Sequence, residues 1–172
     1  VKSTGLFITD PVLAGFEKSG HFFFNKPYGR GYDDGLVSPL AICDMLDRAP
    51  GKSMADLKDA LPKTWSSPTM SPHWADEVKY GAIDQVVKRF EGLQANGAKI
   101  GGQAIRDLVT VHGVRVTVED GSWGLVRASS NTPELVVAVE SPVSEQRMHD
   151  MFEMVNSMLR THPKVGEYNQ KI

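Results

Sequence analysis

Between residues 108 and 139 apolar side chains fall into short runs cut by turn-forming residues. Leu108-Val109-Thr110-Val111 is one run, and in the next Val114, Val116 and Val118 alternate with Arg115 and Thr117. Asp120-Gly121 is a hairpin signal, and Trp123 to Val126 and Leu135 to Val139 follow it. A period of two sends alternate side chains to opposite faces of a strand, so these runs predict an antiparallel sheet. Helical stripes flank the sheet on both sides in sequence. After Asp76, placed to cap a helix, Val78, Ala82, Ile83, Val86, Val87 and Phe90 recur at helical spacing, and Gly92 and Asn96-Gly97 mark the end. Ser144 caps a second helix with Met148, Met151, Phe152, Val155 and Leu159 on one stripe, and Pro163 stops it. The expected fold is α+β, an antiparallel sheet with helices on one face.

The first third of the chain reads differently. Residues 1–35 are rich in glycine and aromatic side chains, and Phe22-Phe23-Phe24 predicts a short buried strand. Ser38-Pro39 starts a helix carrying Leu36, Leu40, Ala41, Met45 and Leu46, which Pro50-Gly51 ends. Ser53 and Asp56 have capping-box spacing ahead of Met54, Leu57 and Leu61. Pro62, Pro68 and Pro72 make residues 63–75 an extended linker or an edge strand. The expected division is therefore 1–62, a partial α/β domain, and 63–172.

Bulk properties exclude some functions. The 172 residues are 41% hydrophobic and 23% charged with a formal net charge of −2, so no global basic field for nucleic acid exists. No apolar run approaches the ~20 residues that span a bilayer, and no signal-peptide pattern opens the chain. Cys43 is the only cysteine, so an internal disulfide is impossible. It reads as a small buried residue in a helix, and a cytoplasmic location fits. The chain begins at Val1, not methionine, which points to a processed or truncated chain. His21, His73, His112, His149 and His162 show no metal-ligand spacing.

Two loops concentrate chemistry. Glu17-Lys18-Ser19-Gly20-His21 packs a carboxylate, an ammonium, a hydroxyl and an imidazole ahead of the phenylalanine run. Such groups suit a sugar, because a carboxylate accepts from adjacent hydroxyls while a hydroxyl or imidazole can donate or accept. The same residues also read as a polar turn before a strand. Arg127-Ala128-Ser129-Ser130-Asn131-Thr132-Pro133 joins two strand patterns. A guanidinium, small hydroxyls and tight-turn amides suit a phosphate, and they also suit a hydrophilic hairpin loop. Tyr32-Asp33-Asp34-Gly35 places two carboxylates just ahead of a helix, where acidic residues favour the N-terminus.

Together the loops resemble the α-D-phosphohexomutase superfamily. Phe16-Glu17-Lys18-Ser19-Gly20-His21 resembles the Gly-Glu-x-Ser-Gly-His sugar loop of its third domain, with Phe16 in the glycine place. Arg127 to Pro133 resembles the Arg-Ala-Ser-Asn-Thr-x-Pro phosphate loop of its fourth, with Ser130 and Asn131 in the Asn and Thr places. Asp33-Asp34-Gly35-Leu36, His112 to Val116 and Trp123 to Val126 recur in the same order, and residues 1–13 resemble the start of the third domain.

The resemblance implies that Glu17 and Ser19 contact sugar hydroxyls and that His21 binds near the reacting end with a proton-handling role. It implies that Arg127, Ser129, Ser130, Asn131 and Thr132 hold the phosphate that is not transferred. The family's catalytic serine loop and its Asp-Gly-Asp-x-Asp-Arg magnesium loop are not in this sequence. A strand–helix unit expected between Leu13 and Ala14 is also missing. The implied whole enzyme interconverts 1-phospho and 6-phospho hexoses of the mannose/glucose type through a bisphosphate, with Mg2+ held outside this chain. The fragment is expected to bind but not turn over. Its expected partners are the phosphorylated hexose and the absent N-terminal domains, with neither nucleic acid nor membrane. A stand-alone, non-enzymatic phosphate- or phosphosugar-binding module is the alternative.

Overall fold

The computed structural model describes residues 12–17, 20–162 and 165–172. The chain divides into two compact units, Val1–Leu61 and Pro62–Ile172. In the first unit, strands β1 (Ala14–Phe16) and β2 (Phe22–Phe24) form an antiparallel hairpin with Phe16 opposite Phe22. β2 is half-buried, not the buried strand expected from three phenylalanines. Helix α1 (Val37–Asp47) starts where Asp34 accepts the amides of Leu36 and Val37 at 2.9 and 3.2 Å. No α1 side chain is buried. Cys43 is helical but exposed, because the face it occupies has nothing packed on it among the described residues. Helix α2 (Met54–Asp59) begins with the capping box the sequence predicts. Asp56 Oδ2 accepts from the Ser53 amide at 2.7 Å, and the Asp56 amide donates to Ser53 Oγ at 3.2 Å.

The second unit is a six-stranded antiparallel sheet with helices on one side. Its strands are β3 (Trp65–Ser66), β4 (Lys99–Ile100), β5 (Gln103–Val109), β6 (Gly113–Val118), β7 (Trp123–Ala128) and β8 (Leu135–Ser141), in the spatial order β3-β8-β7-β6-β5-β4. The proline-rich stretch supplies the edge strand β3 and two isolated bridges, Met70 to Val137 and His73 to Glu134.

Helices α3 (Asp76–Ala95) and α4 (Glu145–Arg160) cover the sheet. Phe90 and Val86 of α3 and Met151 and Val155 of α4 are fully buried, with Val116, Val126 and Val137 from three adjacent strands. Gly124 lets α4 settle onto β7, since a Cβ there would lie 2.8 Å from Val155 Cγ2. Ser144 caps α4 by accepting the Arg147 amide at 3.2 Å. Asp76 does not cap α3. It is the first helical residue, Ala75 is the N-cap, and no side chain bonds the helix end. β5 also differs from expectation. It starts at Gln103 and stops at Val109, so Thr110 and Val111 belong to the following turn.

Candidate functional site

Alternation along β7 fixes the first side chain of the 127–133 loop. Val126 is buried under the helices, so Arg127 falls on the opposite face and is exposed. Its guanidinium donates to the Ala128 carbonyl at 3.2 Å and, among the described residues, is paired with no carboxylate. Beyond it the chain turns back to β8, closed by the Ser129 amide donating to the Glu134 carbonyl at 2.9 Å. Ser129 Oγ accepts long bonds from the Asn131 and Thr132 amides, 3.4 and 3.3 Å, and lies 2.8 Å from Thr132 Oγ1. Thr132 Oγ1 donates in turn to Glu134 Oε2 at 3.0 Å. Ser129 and Thr132 thus brace the turn, while Arg127, Ser130 and Asn131 stand exposed. Such a turn can offer a guanidinium, a hydroxyl, an amide side chain and backbone N–H groups to an anion.

The other loop joins β1 to β2. The Glu17 amide donates to the His21 carbonyl at 2.9 Å and the Gly20 amide to the Glu17 carbonyl at 3.0 Å. Glu17 and His21 are both exposed. Ser19 lies outside the described residues. His21 Nδ1 sits 2.6 Å from Asp33 Oδ2, brought there by a bridge between Phe23 and Asp33. The hydrogen bond to Asp33, and then its charge, hold the imidazole above its usual 6.5, with a smaller push from Glu17. The same bond holds the Asp33 carboxyl below its usual range. Protonated Nδ1 on Asp33 leaves Nε2 as the outward nitrogen, able to give or take a proton.

An NMR titration tests this pair. Asp33→Asn should move the His21 midpoint down toward 6.5. The pair's contribution to stability is full between about pH 4 and 6.5; it fades as pH rises through the raised imidazole value and as pH falls through the lowered Asp33 value. An unchanged midpoint would remove Asp33 as the cause.

The chain resembles known proteins along most of its length. The family model for the phosphoglucomutase/phosphomannomutase C-terminal domain matches residues 77–158, and that for the family's alpha/beta/alpha domain III matches residues 4–65. The chain belongs to the phosphoglucomutase/phosphomannomutase family. A phosphomannomutase/phosphoglucomutase of Pseudomonas putida is 35% identical over 159 residues, which is 91% of this chain and 31% of that protein. A phosphoglucomutase of Neisseria gonorrhoeae is 28% identical over 86% of this chain and 29% of its own length. A crystal structure of a family protein from Burkholderia thailandensis superimposes with a TM-score of 0.67 at 26% identity, over 92% of this chain and 30% of that one. This chain spans about a third of the length of such relatives.

Within the family frame, the structure adds two groups that sequence reasoning passed over. Asp33, read as a helix-start carboxylate, is the partner of His21. Lys79, near the start of α3, reaches the 127–133 loop from the helix side and donates to the Ser129 and Thr132 carbonyls at 2.6 and 2.9 Å. The signal for Lys79 was in the periodicity. The buried stripe of α3 is Lys79, Ala82, Ile83, Val86 and Phe90, whereas Val78 is exposed.

Two hollows of about 410 and 480 Å3 lie elsewhere, and neither is lined by Glu17, His21 or residues 127–133. Among the described residues no three histidine, cysteine, aspartate or glutamate side chains converge to hold a metal ion. No described helix is long and apolar enough to cross a membrane.

Proposed function

We propose that this chain is the sugar-reading and phosphate-holding part of an isomerase that moves a phosphoryl group between the 1- and 6-positions of a mannose- or glucose-type hexose. The reading divides the chain at 62/63. Residues 1–62 carry the hydroxyl-reading loop with Glu17, Ser19 and His21, and residues 63–172 carry the phosphate loop. One observation carries it: Arg127 stands exposed, without a carboxylate partner among the described residues, beside a small polar turn. Arg147, by contrast, is tied into the fold by its ion pair with Asp120 at 2.8 Å.

Phosphoryl transfer depends on positioning and charge stabilisation. Arg127, Ser130 and Asn131 would grip the phosphate that is not reacting, over the turn braced by Ser129 and Thr132. Binding energy from that remote group then serves the transfer step. His21, held above its usual range by the hydrogen bond to Asp33, would donate a hydrogen bond at the reacting end and hold a proton there. The phosphoserine and the Mg2+ come from family segments outside this chain.

Affinity of the 172-residue chain alone should be low. About three charge-assisted bonds contribute roughly 1.5–3 kcal/mol each. Association costs about 4 kcal/mol or more. The remainder corresponds to millimolar or weaker binding. Titrating glucose 1-phosphate into 15N-labelled chain should move the resonances of residues 127–132, and Arg127→Ala should abolish the movement. Identical shifts in both proteins would refute the phosphate assignment. The chain alone should show no mutase turnover in a coupled assay.

A further inference from the structure

We propose that Lys79 is a positioning residue for the phosphate loop, fixing the Ser129–Ser130 peptide so that the Ser130 N–H faces the ligand side. This rests on the phosphate reading of the loop and adds the residue that shapes it. Lys79 is 3% exposed. Burying an ammonium is costly unless its donors are met. All three are met, by the Ser129 carbonyl at 2.6 Å, the Thr132 carbonyl at 2.9 Å and Asp76 Oδ1 at 2.6 Å. No donor is left for a ligand and no surface is open to one, so Lys79 acts only through the loop.

The geometry of a trans peptide does the rest. The Ser129–Ser130 bond is trans, so its C=O and N–H point in opposite directions. With the carbonyl held toward α3, the Ser130 N–H points away from the helix layer, toward the side where Arg127 stands. Among the described residues that N–H has no hydrogen-bond partner. The Asn131 and Thr132 amides, by contrast, already lean on Ser129 Oγ. The second carbonyl costs the cradle no donor, because Thr132 precedes Pro133, which has no N–H. Asp76 neutralises the ammonium locally, so its contribution is orientation of the backbone more than attraction at a distance.

The test uses the 172-residue chain, with inorganic phosphate and glucose 1-phosphate as probes and 1H–15N spectra as the readout. In the wild type, the Ser130 amide should show the largest downfield proton shift of residues 127–132. Lys79→Met should keep the spectrum of the sheet and weaken binding of both probes about tenfold, the loss of one good hydrogen bond. A folded Lys79→Met with wild-type affinity would overturn the proposal. A wild-type titration in which the Asn131 or Thr132 amide moves while Ser130 stays still would also overturn it, and this arm decides even where Lys79→Met does not fold. Failure of the underlying reading looks different: no loop resonance moves in the wild type, and Arg127→Ala is indistinguishable from it.

Discussion

Gly113→Ala will lower the stability of the second unit by about 3 kcal/mol and displace the Arg127 strand end. Gly113 opens β6 at a φ of 147°, a conformation in which side chains are rare, and it pairs with Arg127 across the sheet. A Cβ there would lie 2.3 Å from the Val126 carbonyl oxygen and 2.8 Å from Arg127 Cα. Both are backbone atoms, so neither can swing aside. Strained backbone costs of order 1–3 kcal/mol, and forced repacking costs a similar amount. For a unit of this size the melting midpoint should fall by roughly 10 °C. Calorimetry reads the stability, and phosphate titration reads the loop. A midpoint within a degree or two of wild type would show that β6 accommodates the methyl group and that the close approach is not essential.

Arg147→Met is the second large effect, and its size should depend on pH. Arg147 joins three parts of the second unit. Nε donates to Asp120 Oδ2 in the β6–β7 turn at 2.8 Å, while NH1 donates to Asp150 Oδ2 and the Gly101 carbonyl, each at 2.9 Å. Its side chain is 13% exposed and that of Asp120 15%, so removing the cation strands a carboxylate with little water. A fully buried pair broken in this way costs about 3–5 kcal/mol, and the residual exposure brings the expectation here to roughly 2–3.

Burial pushes the Asp120 carboxyl up, but the Ser122 amide and Arg147 outweigh it and hold it below the usual range. Gln146 and then Arg147 do the same for Asp150. Carboxyls lowered in the folded state stabilise it above about pH 4, and that contribution is lost as pH falls through their depressed values. Denaturant melts should therefore show the wild type well ahead of Arg147→Met at pH 7 and the gap closing near pH 3. A gap that is constant with pH would mean the loss comes from packing of the side chain.

The sequence carried much of this architecture, for reasons that individual residues make plain. The stripe from Ala82 to Phe90 and the valines of β6 are periodic because one face of each element is buried. Ser53 and Asp56, like Ser144, act within a few residues along the chain, so spacing alone exposes them. β5 was legible only at its end. Gln103 and Ala104 pair with the two-residue strand β4 at the sheet edge, and the stretch on to Asp107 includes charged residues and a register shift, so no alternation marks it. The 127–133 loop was visible as a motif, yet what braces it was not. Lys79 lies far away in sequence, and a lysine within a helical pattern is ordinarily read as solvated because lysines are seldom fully buried. Asp33 reaches His21 only through the hairpin fold.

One arrangement bears on how such a protein can change over generations. Arg127 and Lys79 approach the same strand end from opposite sides of the sheet. Grip and shape are thus inherited through separate codons on separate elements. On the phosphate reading proposed above, substitutions around the first turns of α3 would retune the loop by small steps while the motif itself stays constant, so two chains with identical loops would not hold phosphate equally well.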